Sequence, residues 1–123
     1  MNKIIKTMIT EDYVSFETAK LLKEKGFDGV VQLHYNNLSG KIYSSNPITK
    51  NCIKAPTIQM AMKWLREVHN IDIFPWKIGK GIYSCAIFNS NTGQDLSSDK
   101  DFPSEKYEET AEAAIKYCLE KLI

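Results

Sequence analysis

The sequence predicts an α+β domain in which an antiparallel sheet of two β-hairpins packs with three helices in two layers. Three segments carry apolar residues at helical spacing, and two pairs of β-rich segments are each joined by a short turn. Their alternation along the chain gives the order α-β-β-α-β-β-α. Because each helix has a single apolar stripe, we expect all three to pack on one face of the sheet.

The composition is typical of one globular domain spanning residues 1–123, with 43% hydrophobic and 25% charged residues. A chain of this length buries roughly two thirds of its unfolded surface, so its stability requires neither a metal ion nor a disulfide. The apolar runs are far shorter than the ~20 residues that span a bilayer. The N-terminus is too short and too polar for a signal peptide, so we predict a cytoplasmic protein without membrane contact. Residues 1–8 are predicted to be disordered.

The first helix is predicted in SFETAKLLKEKGF. Ser15 is a good N-cap, and Glu17 lies in the first turn, where the helix dipole favours a carboxylate. Gly26 is placed to adopt the left-handed conformation that ends a helix, after which Phe27 can fold back onto the helix.

The first hairpin is predicted in GVVQLHYNNLSGKIYSS. Val31, Leu33 and Tyr35 alternate with their neighbours, residues 36–40 are rich in turn formers, and residues 41–45 resume the strand pattern. Residues 46–56 contain two prolines and no period, so we expect a loop there.

The segment APTIQMAMKWLREVHNIDIFPW predicts a helix followed at once by a strand. Thr57 can cap the helix and Asn70 can end it, with Trp64 at the edge of the apolar stripe. The expected buried residues are Ile58, Ala61, Met62, Leu65 and Val68. Pro75 cannot donate to a β-ladder, so the strand is predicted to lie at an edge or to contain a bulge. The turn at residues 79–81 leads to a returning strand over residues 82–88.

Residues 89–103 are polar and predict a long surface loop in which Phe102 is tucked inward. The final helix is predicted in SEKYEETAEAAIKYCLEKLI, whose glutamates are concentrated in its N-terminal half, in agreement with the helix dipole. Its expected buried face consists of Tyr107, Ala111, Ala114, Ile115, Cys118, Leu119 and Leu122.

The three helical segments also carry a resemblance. SFETAKLLKEKGF, APTIQMAMKWLREVHNI and YEETAEAAIKYCLEKLI resemble segments of small uncharacterised proteins from Bacteroides-type gut bacteria and their phages. The resemblance covers roughly half of the chain and excludes residues 36–54 and 89–103. It implies a phage or prophage origin, but no activity and no catalytic residues.

The soft metal ligands and nucleophiles are few. Cys52, Cys85, Cys118, His34 and His69 include no C-x-x-C or H-x-x-x-H pair, so no metal site is predicted. We expect Cys85 and Cys118 to be small core residues. Cys52 in its loop could pair with His34 or His69 as a nucleophile, but no flanking motif supports catalysis. The sequence therefore predicts a non-enzymatic protein without a cofactor.

Four glutamates could be taken for an acid–base cluster, but the helical pattern places them on solvent-facing positions, and burial would be needed to raise their pKa. They are Glu105, Glu108, Glu109 and Glu112. The glycines of GKG and TGQD lack the spacing of a phosphate-binding loop.

A nucleic-acid interface is the main alternative. Aromatic residues on a sheet with basic neighbours can stack on bases. The aromatic candidates are Tyr35, Tyr43, Trp76 and Tyr83, and the basic ones are Lys41, Lys77 and Lys80. The net charge of only +1 is too small for the electrostatic attraction that usually dominates such binding, so this alternative is not favoured.

Our leading expectation is an accessory protein of phage or prophage type that acts through protein contacts in the cytoplasm of a bacterial host. Met and Trp are common at protein interfaces, so the expected surface contains Trp64, Trp76, Tyr43 and Tyr83. The partner is a protein of unspecified identity, and a second copy of the chain is one option.

Overall fold

The computed structural model describes residues 10–44 and 51–123. Three helices are present: α1 (Phe16–Glu24), α2 (Ile58–His69) and α3 (Tyr107–Tyr117), which continues into a π-helical turn (Cys118–Leu122). The strands are β1 (His34–Asn36), β2 (Ile42–Tyr43), β3 (Cys52–Lys54), β4 (Ile71–Gly79) and β5 (Ile82–Asn89). The predicted α+β class and antiparallel pairing are confirmed, and the predicted disorder of residues 1–8 lies outside the described residues.

The ends of α1 follow the local sequence. The Ser15 hydroxyl accepts a hydrogen bond from the Thr18 amide at 3.2 Å, which satisfies one unpaired donor of the first turn. Gly26 is left-handed, with φ of 89°. The Phe27 amide then donates to the Leu22 carbonyl at 2.9 Å, and the Phe27 side chain is buried. Both predicted boundaries of this helix are confirmed.

The first sheet has the strand order β2-β1-β3, so it contains one strand more than the predicted hairpin. β3 lies within residues 46–56, where a loop was predicted, and that prediction is wrong for residues 52–54. Ile53 stands opposite Tyr35 on β1 and is buried in the core, which stabilises this short strand. A strand with one buried side chain is too short to produce a detectable period.

The caps of α2 are confirmed, but its predicted buried face is wrong at one position. The Thr57 hydroxyl accepts from the Met60 amide at 3.0 Å, and Asn70 is left-handed with φ of 57°. Val68 was expected in the core, yet 56% of it is exposed. It lies on the same side of the helix as Ala61 and Leu65, but in the last turn, which none of the described elements covers. Periodicity predicts a helix face and not how far along that face the neighbours extend.

Among residues 10–44 and 51–123, the second sheet consists of β4 and β5, so the two predicted hairpins contribute to separate sheets. Ile73 stands opposite Ile87 and Pro75 opposite Cys85, and a bulge at Ile78 separates the pairs at Lys77 and Gly79. β4 is therefore an edge strand, as predicted from Pro75, whereas the bulge lies three residues after the proline and not at it.

α2 and α3 pack on the second sheet, whereas α1 contacts β3 of the first sheet and α3, so the expectation that all three helices pack on one sheet is wrong for α1. α3 contacts α1, α2, β4 and β5, and its Ile115 and Leu119 share one core with Ile73 and Ile87. The Lys116 ammonium, which is on α3, forms an ion pair with Glu17 on α1. In the part of the chain that the structure describes, no helix combines the length and apolar character needed to cross a membrane.

The segment between β5 and α3 lies along the outer edge of β5. The Cys85 amide donates to the Asp101 carbonyl at 2.9 Å, and the Leu96 amide donates to the Ile87 carbonyl at 2.7 Å. Tyr83 and Ser104 exchange two backbone hydrogen bonds, at 2.7 and 3.0 Å. Phe102 is tucked against Tyr117 as predicted, with ring centroids 5.5 Å apart. The loop therefore supplies hydrogen-bond partners to a strand edge that would otherwise be open.

One buried hydroxyl attaches this loop to α3. Thr110 is fully buried, and its hydroxyl donates to the Phe102 carbonyl. We expect Thr110→Val, which keeps the shape but removes the donor, to lower the free energy of unfolding by about 1–2 kcal/mol. Urea denaturation measures this change, and hydrogen exchange at the Cys85 amide should speed up because its acceptor, Asp101, lies in the same loop.

The matched control is Thr92→Val. Thr92 is exposed, and its hydroxyl accepts a 3.2 Å hydrogen bond from the Gln94 amide. Its replacement should change the free energy of unfolding by less than about 0.5 kcal/mol. Equal effects of the two substitutions would show that Thr110 does not anchor the loop.

Candidate functional site

The outer face of the second sheet carries large apolar side chains in solvent. Phe74 is 59% exposed and Trp76 is 48% exposed, and two isoleucines at the end of the hairpin are similarly uncovered. We call Phe74, Trp76, Ile78 and Ile82 the hairpin patch. Exposed apolar groups scattered singly are ordinary, whereas several together on one surface indicate an interaction site.

The alternation of side chains along β4 produces this patch. Ile71 and Ile73 point into the core, so Phe74 and Trp76 extend from strand positions with the opposite orientation. They stand opposite Ala86 and Ser84 on β5. Since the helices occupy the core face, this outer face is the one that the described helices leave uncovered. The bulge adds Ile78 as an unpaired residue beside it.

The outer edge of β4 is unsuited to pairing with another strand. The Cys85 amide donates to Asp101 and not to β4, so Cys85 and Pro75, which stand opposite each other, do not exchange backbone hydrogen bonds. The backbone groups of Pro75 therefore point toward the outer edge of β4. Proline has no N–H, and the row of outward donors is interrupted there. A partner is therefore expected to contact the face of the hairpin and not to extend its sheet.

The second predicted tryptophan does not belong to this surface. Trp64 is only 8% exposed and contacts Phe27 and His69, with ring centroids 5.6 and 4.7 Å away. The favoured interpretation of Trp64, in which it lies at the edge of the apolar stripe and covers it, agrees with this burial, and the alternative that Trp64 forms part of an interaction surface is wrong. A large ring at the edge of an apolar stripe can cover the core or face a partner, and here the neighbouring rings enclose it.

The remaining predicted surface residues are divided between the two sheets. Tyr83 faces α3, where it makes an edge contact with Tyr107 at 5.9 Å, and the Lys77 ammonium lies 5.9 Å from the Tyr83 ring centre. Lys80 is at the exposed turn between β4 and β5. Lys80 thus gives the turn of the hairpin a positive charge next to the hairpin patch, whereas Lys77 lies on the side of the sheet that faces α3.

Lys41 and Tyr43 lie at β2, in the first sheet. Tyr43 contacts His34, with ring centroids 6.4 Å apart. The predicted aromatic and basic nucleic-acid surface is therefore not one β-sheet, because its members belong to two sheets that are not paired with each other.

The structure brings Cys52 together with one of its two predicted histidine partners. Cys52 and His34 line the same cavity, between α1 and the first sheet. His69 instead contacts Trp64. Among the described residues, no group of three or more His, Cys, Asp or Glu side chains is placed to hold a metal ion.

The other two cysteines are core residues, as predicted. Cys85 and Cys118 are buried, and burial raises the pKa of each thiol to about 12. Because the thiolate is the reactive form, both thiols are unreactive at neutral pH. The four glutamates named above do not form a buried cluster either, since three are exposed and the carboxylate of Glu112 accepts a 2.6 Å hydrogen bond from the Ser15 amide.

Alkylation should distinguish these thiols. We expect iodoacetamide at pH 7.5 to modify the folded protein once, at the partly exposed Cys52, with Cys85 and Cys118 reacting at least about 100-fold more slowly. Intact mass spectrometry and peptide mapping measure this, and denatured protein, in which all three cysteines react, is the control. Rapid labelling of Cys85 or Cys118 in the folded protein would contradict their placement in the core.

Comparisons with models of protein families, with curated proteins and with solved structures each gave no match to this chain.

Trp76 belongs to the surface predicted from the sequence, whereas Phe74, Ile78 and Ile82 do not. The alternation of Ile71 and Ile73 with Asp72 and Phe74 was visible in the sequence. However, an apolar residue at every position from 73 to 76 concealed which of them face outward.

Proposed function

We propose that this protein is a non-enzymatic interaction module that binds a partner protein through the hairpin patch. The observation that carries this proposal is the exposure of Phe74 and Trp76 on the sheet face opposite the helices. In line with the resemblance described above, we place it in the cytoplasm of a bacterial host, as an accessory protein of phage or prophage type.

The size of the patch favours a transient complex with a different protein. A fully buried aromatic side chain contributes about 150–250 Å², so Phe74 and Trp76, each about half exposed, offer roughly 200 Å² together. A stable interface needs about 800 Å² from each partner. The patch is therefore the apolar centre of a modest interface, and it is too small to hold an obligate homodimer by itself.

The charges beside the patch indicate the chemistry of the partner. Lys80 is exposed at the turn beside it, whereas Lys77 lies over Tyr83 on the other side of the sheet, and Asp72 of the same strand forms a 4.0 Å ion pair with Arg66. An acidic border on the partner would complement Lys80, and an apolar centre would cover Trp76 and Phe74. We therefore commit to a partner protein whose contact surface is apolar with an acidic border.

Nucleic acid is the competing partner, since Trp76 next to Lys80 could stack on a base. The small net charge of +1 and the location of Lys41 on the other sheet argue against it. The experiment below includes it as a separate outcome.

The test uses a photo-crosslinking residue, p-benzoylphenylalanine, in place of Phe74, with the same residue in place of Val30 as control. Val30 is also exposed and apolar, but it lies outside the hairpin patch. After irradiation in bacterial cells, mass spectrometry identifies proteins attached at position 74 and not at position 30. The purified partner is then titrated calorimetrically against the wild type, Phe74→Ser/Trp76→Ser and Val30→Ser. We expect at least a 30-fold loss of affinity for the double variant and none for Val30→Ser.

Three results would overturn the proposal. The first is equal crosslinking at positions 74 and 30. The second is crosslinking only to a second copy of the chain, with a dimer in light scattering. The third is binding to single-stranded or duplex nucleic acid that disappears at high salt and on Lys77→Glu/Lys80→Glu, without a protein partner.

A further inference from the structure

A cavity of about 340 Å³ lies between α1 and the first sheet, away from the hairpin patch. Its described lining residues are Ala19, Lys23, Phe27, His34, Cys52 and Lys54. The register explains how β1 and β3 contribute to it: His34 stands opposite Lys54, and Asn36 stands opposite Cys52. His34, Cys52 and Lys54 therefore extend from the same side of the sheet, while Tyr35 and Ile53 point to the other side.

The charged groups of this cavity all have one sign. Lys23 comes from the last turn of α1 and Lys54 from β3, and none of the described residues that line the cavity is acidic. The Lys54 ammonium donates to the Gly29 carbonyl at 2.8 Å, which positions it while leaving two of its three N–H groups for other acceptors. Two ammonium groups without a carboxylate create a positive potential in a concave site.

His34 adds a polar atom without a partner. Its Nδ1 atom, like the Nε2 atom of His69, is buried and makes no hydrogen bond within the described part of the chain. Burial, and then the nearby Lys54 ammonium, lower the pKa of His34, so the imidazole is neutral at pH 7. A buried polar atom without a hydrogen bond is costly, and such atoms are uncommon in folded proteins.

Part of the cavity lining is apolar. Phe27 and Ala19 form this part, and the Phe27 ring is held in place by its edge contact with Trp64 at 5.6 Å. A mostly apolar cavity with a few convergent polar groups is typical of small-molecule sites, and about 340 Å³ is at the small end of their range.

We infer that this cavity binds a small organic anion, with its carboxylate or phosphate group at Lys23, Lys54 and His34 and a short apolar body against Phe27. The ammonium groups neutralise the charge of the anion, and the imidazole of His34 lies beside them in the lining. An inorganic anion gains the same ammonium contacts but has no apolar body to place against Phe27, so it binds more weakly than an organic anion.

The two histidines of the chain provide the test. The proton resonances of the His34 and His69 imidazoles are followed by NMR while benzoate or phenyl phosphate is added. We expect a saturable shift of His34 with at least one of these anions, and none of His69, which lies against Trp64 outside the cavity. Benzyl alcohol, which lacks the charge, and sulfate, which lacks the apolar body, should each bind at least about tenfold more weakly.

Substitutions of the two lysines test whether they bind the anion. Lys54→Met and, separately, Lys23→Met should each weaken anion binding about tenfold, since each removes a charge-assisted hydrogen bond. Lys63→Met on the exposed side of α2 is the matched control and should leave the affinity unchanged. Circular dichroism verifies that each variant is folded, and the two cavity lysines provide independent tests if one variant is not.

Any of three results would overturn this inference: no saturable His34 shift with either organic anion, equal affinity for benzyl alcohol or sulfate, or affinity that Lys54→Met and Lys23→Met leave unchanged. The hairpin patch is not involved in these measurements, so their outcome is independent of the proposed protein interaction.

Discussion

Replacing Trp64 by alanine is expected to lower the free energy of unfolding by about 3–5 kcal/mol, whereas Trp76→Ala should change it by less than about 1 kcal/mol. Trp64 is enclosed by Phe27 and His69, so its removal leaves a cavity in the core. Trp76 is 48% exposed on the hairpin patch and supports little else. Urea denaturation followed by far-ultraviolet circular dichroism measures both changes without relying on tryptophan fluorescence.

The same pair of variants separates stability from binding. Trp76→Ala should stay folded and lose affinity for the partner protein, while Trp64→Phe, which keeps a buried ring, should retain affinity. A Trp76→Ala variant that is as unstable as Trp64→Ala would contradict the assignment of Trp76 to an exposed interaction surface.

The second substitution expected to lower the free energy of unfolding strongly is Leu65→Ala, and a substitution one helical turn later, Val68→Ala, is expected to have almost no effect. Leu65→Ala should destabilise the fold by about 2–5 kcal/mol, because Leu65 is fully buried between α2 and the core. Val68→Ala, three residues later, should cost less than about 0.5 kcal/mol, because Val68 is 56% exposed. Chemical denaturation measures both changes.

The periodicity of α2 alone predicts comparable losses for these two positions, so the comparison tests the tertiary structure directly. The denaturant dependence of the free energy should be the same in both variants, which shows that they unfold from equally compact states. A loss above about 2 kcal/mol for Val68→Ala would mean that another element covers the last turn of α2.

Both edges of the second sheet are protected against pairing with another strand, whereas its outer face is exposed. The segment between β5 and α3 covers the edge of β5, through hydrogen bonds such as that from Cys85 to Asp101. Pro75 interrupts the donors on the edge of β4. With both edges unsuited to strand addition, the outer face of the hairpin is the surface through which we expect this sheet to bind, and side chains determine the choice of partner there.

Features that depend on local chemistry could be predicted from the amino-acid sequence. Ser15 and Thr57 begin their helices, Gly26 and Asn70 end theirs, and Pro75 marks an edge strand, because caps and proline act over only a few bonds. The three helices and the antiparallel class follow from periodicity. Cys85 and Cys118 as core residues follow from the lack of any ligand spacing around them.

The pairing and packing of these helices and strands became visible in the tertiary structure. It separated the hairpins into two sheets, added β3 through the pairing of Ile53 with Tyr35, buried Trp64 and left Val68 exposed. It also placed Lys23, His34 and Lys54, which come from three elements, around one cavity. The physical reason is the same in each case: local periodicity specifies which side of an element is apolar, whereas burial depends on residues distant in sequence that the fold brings beside it.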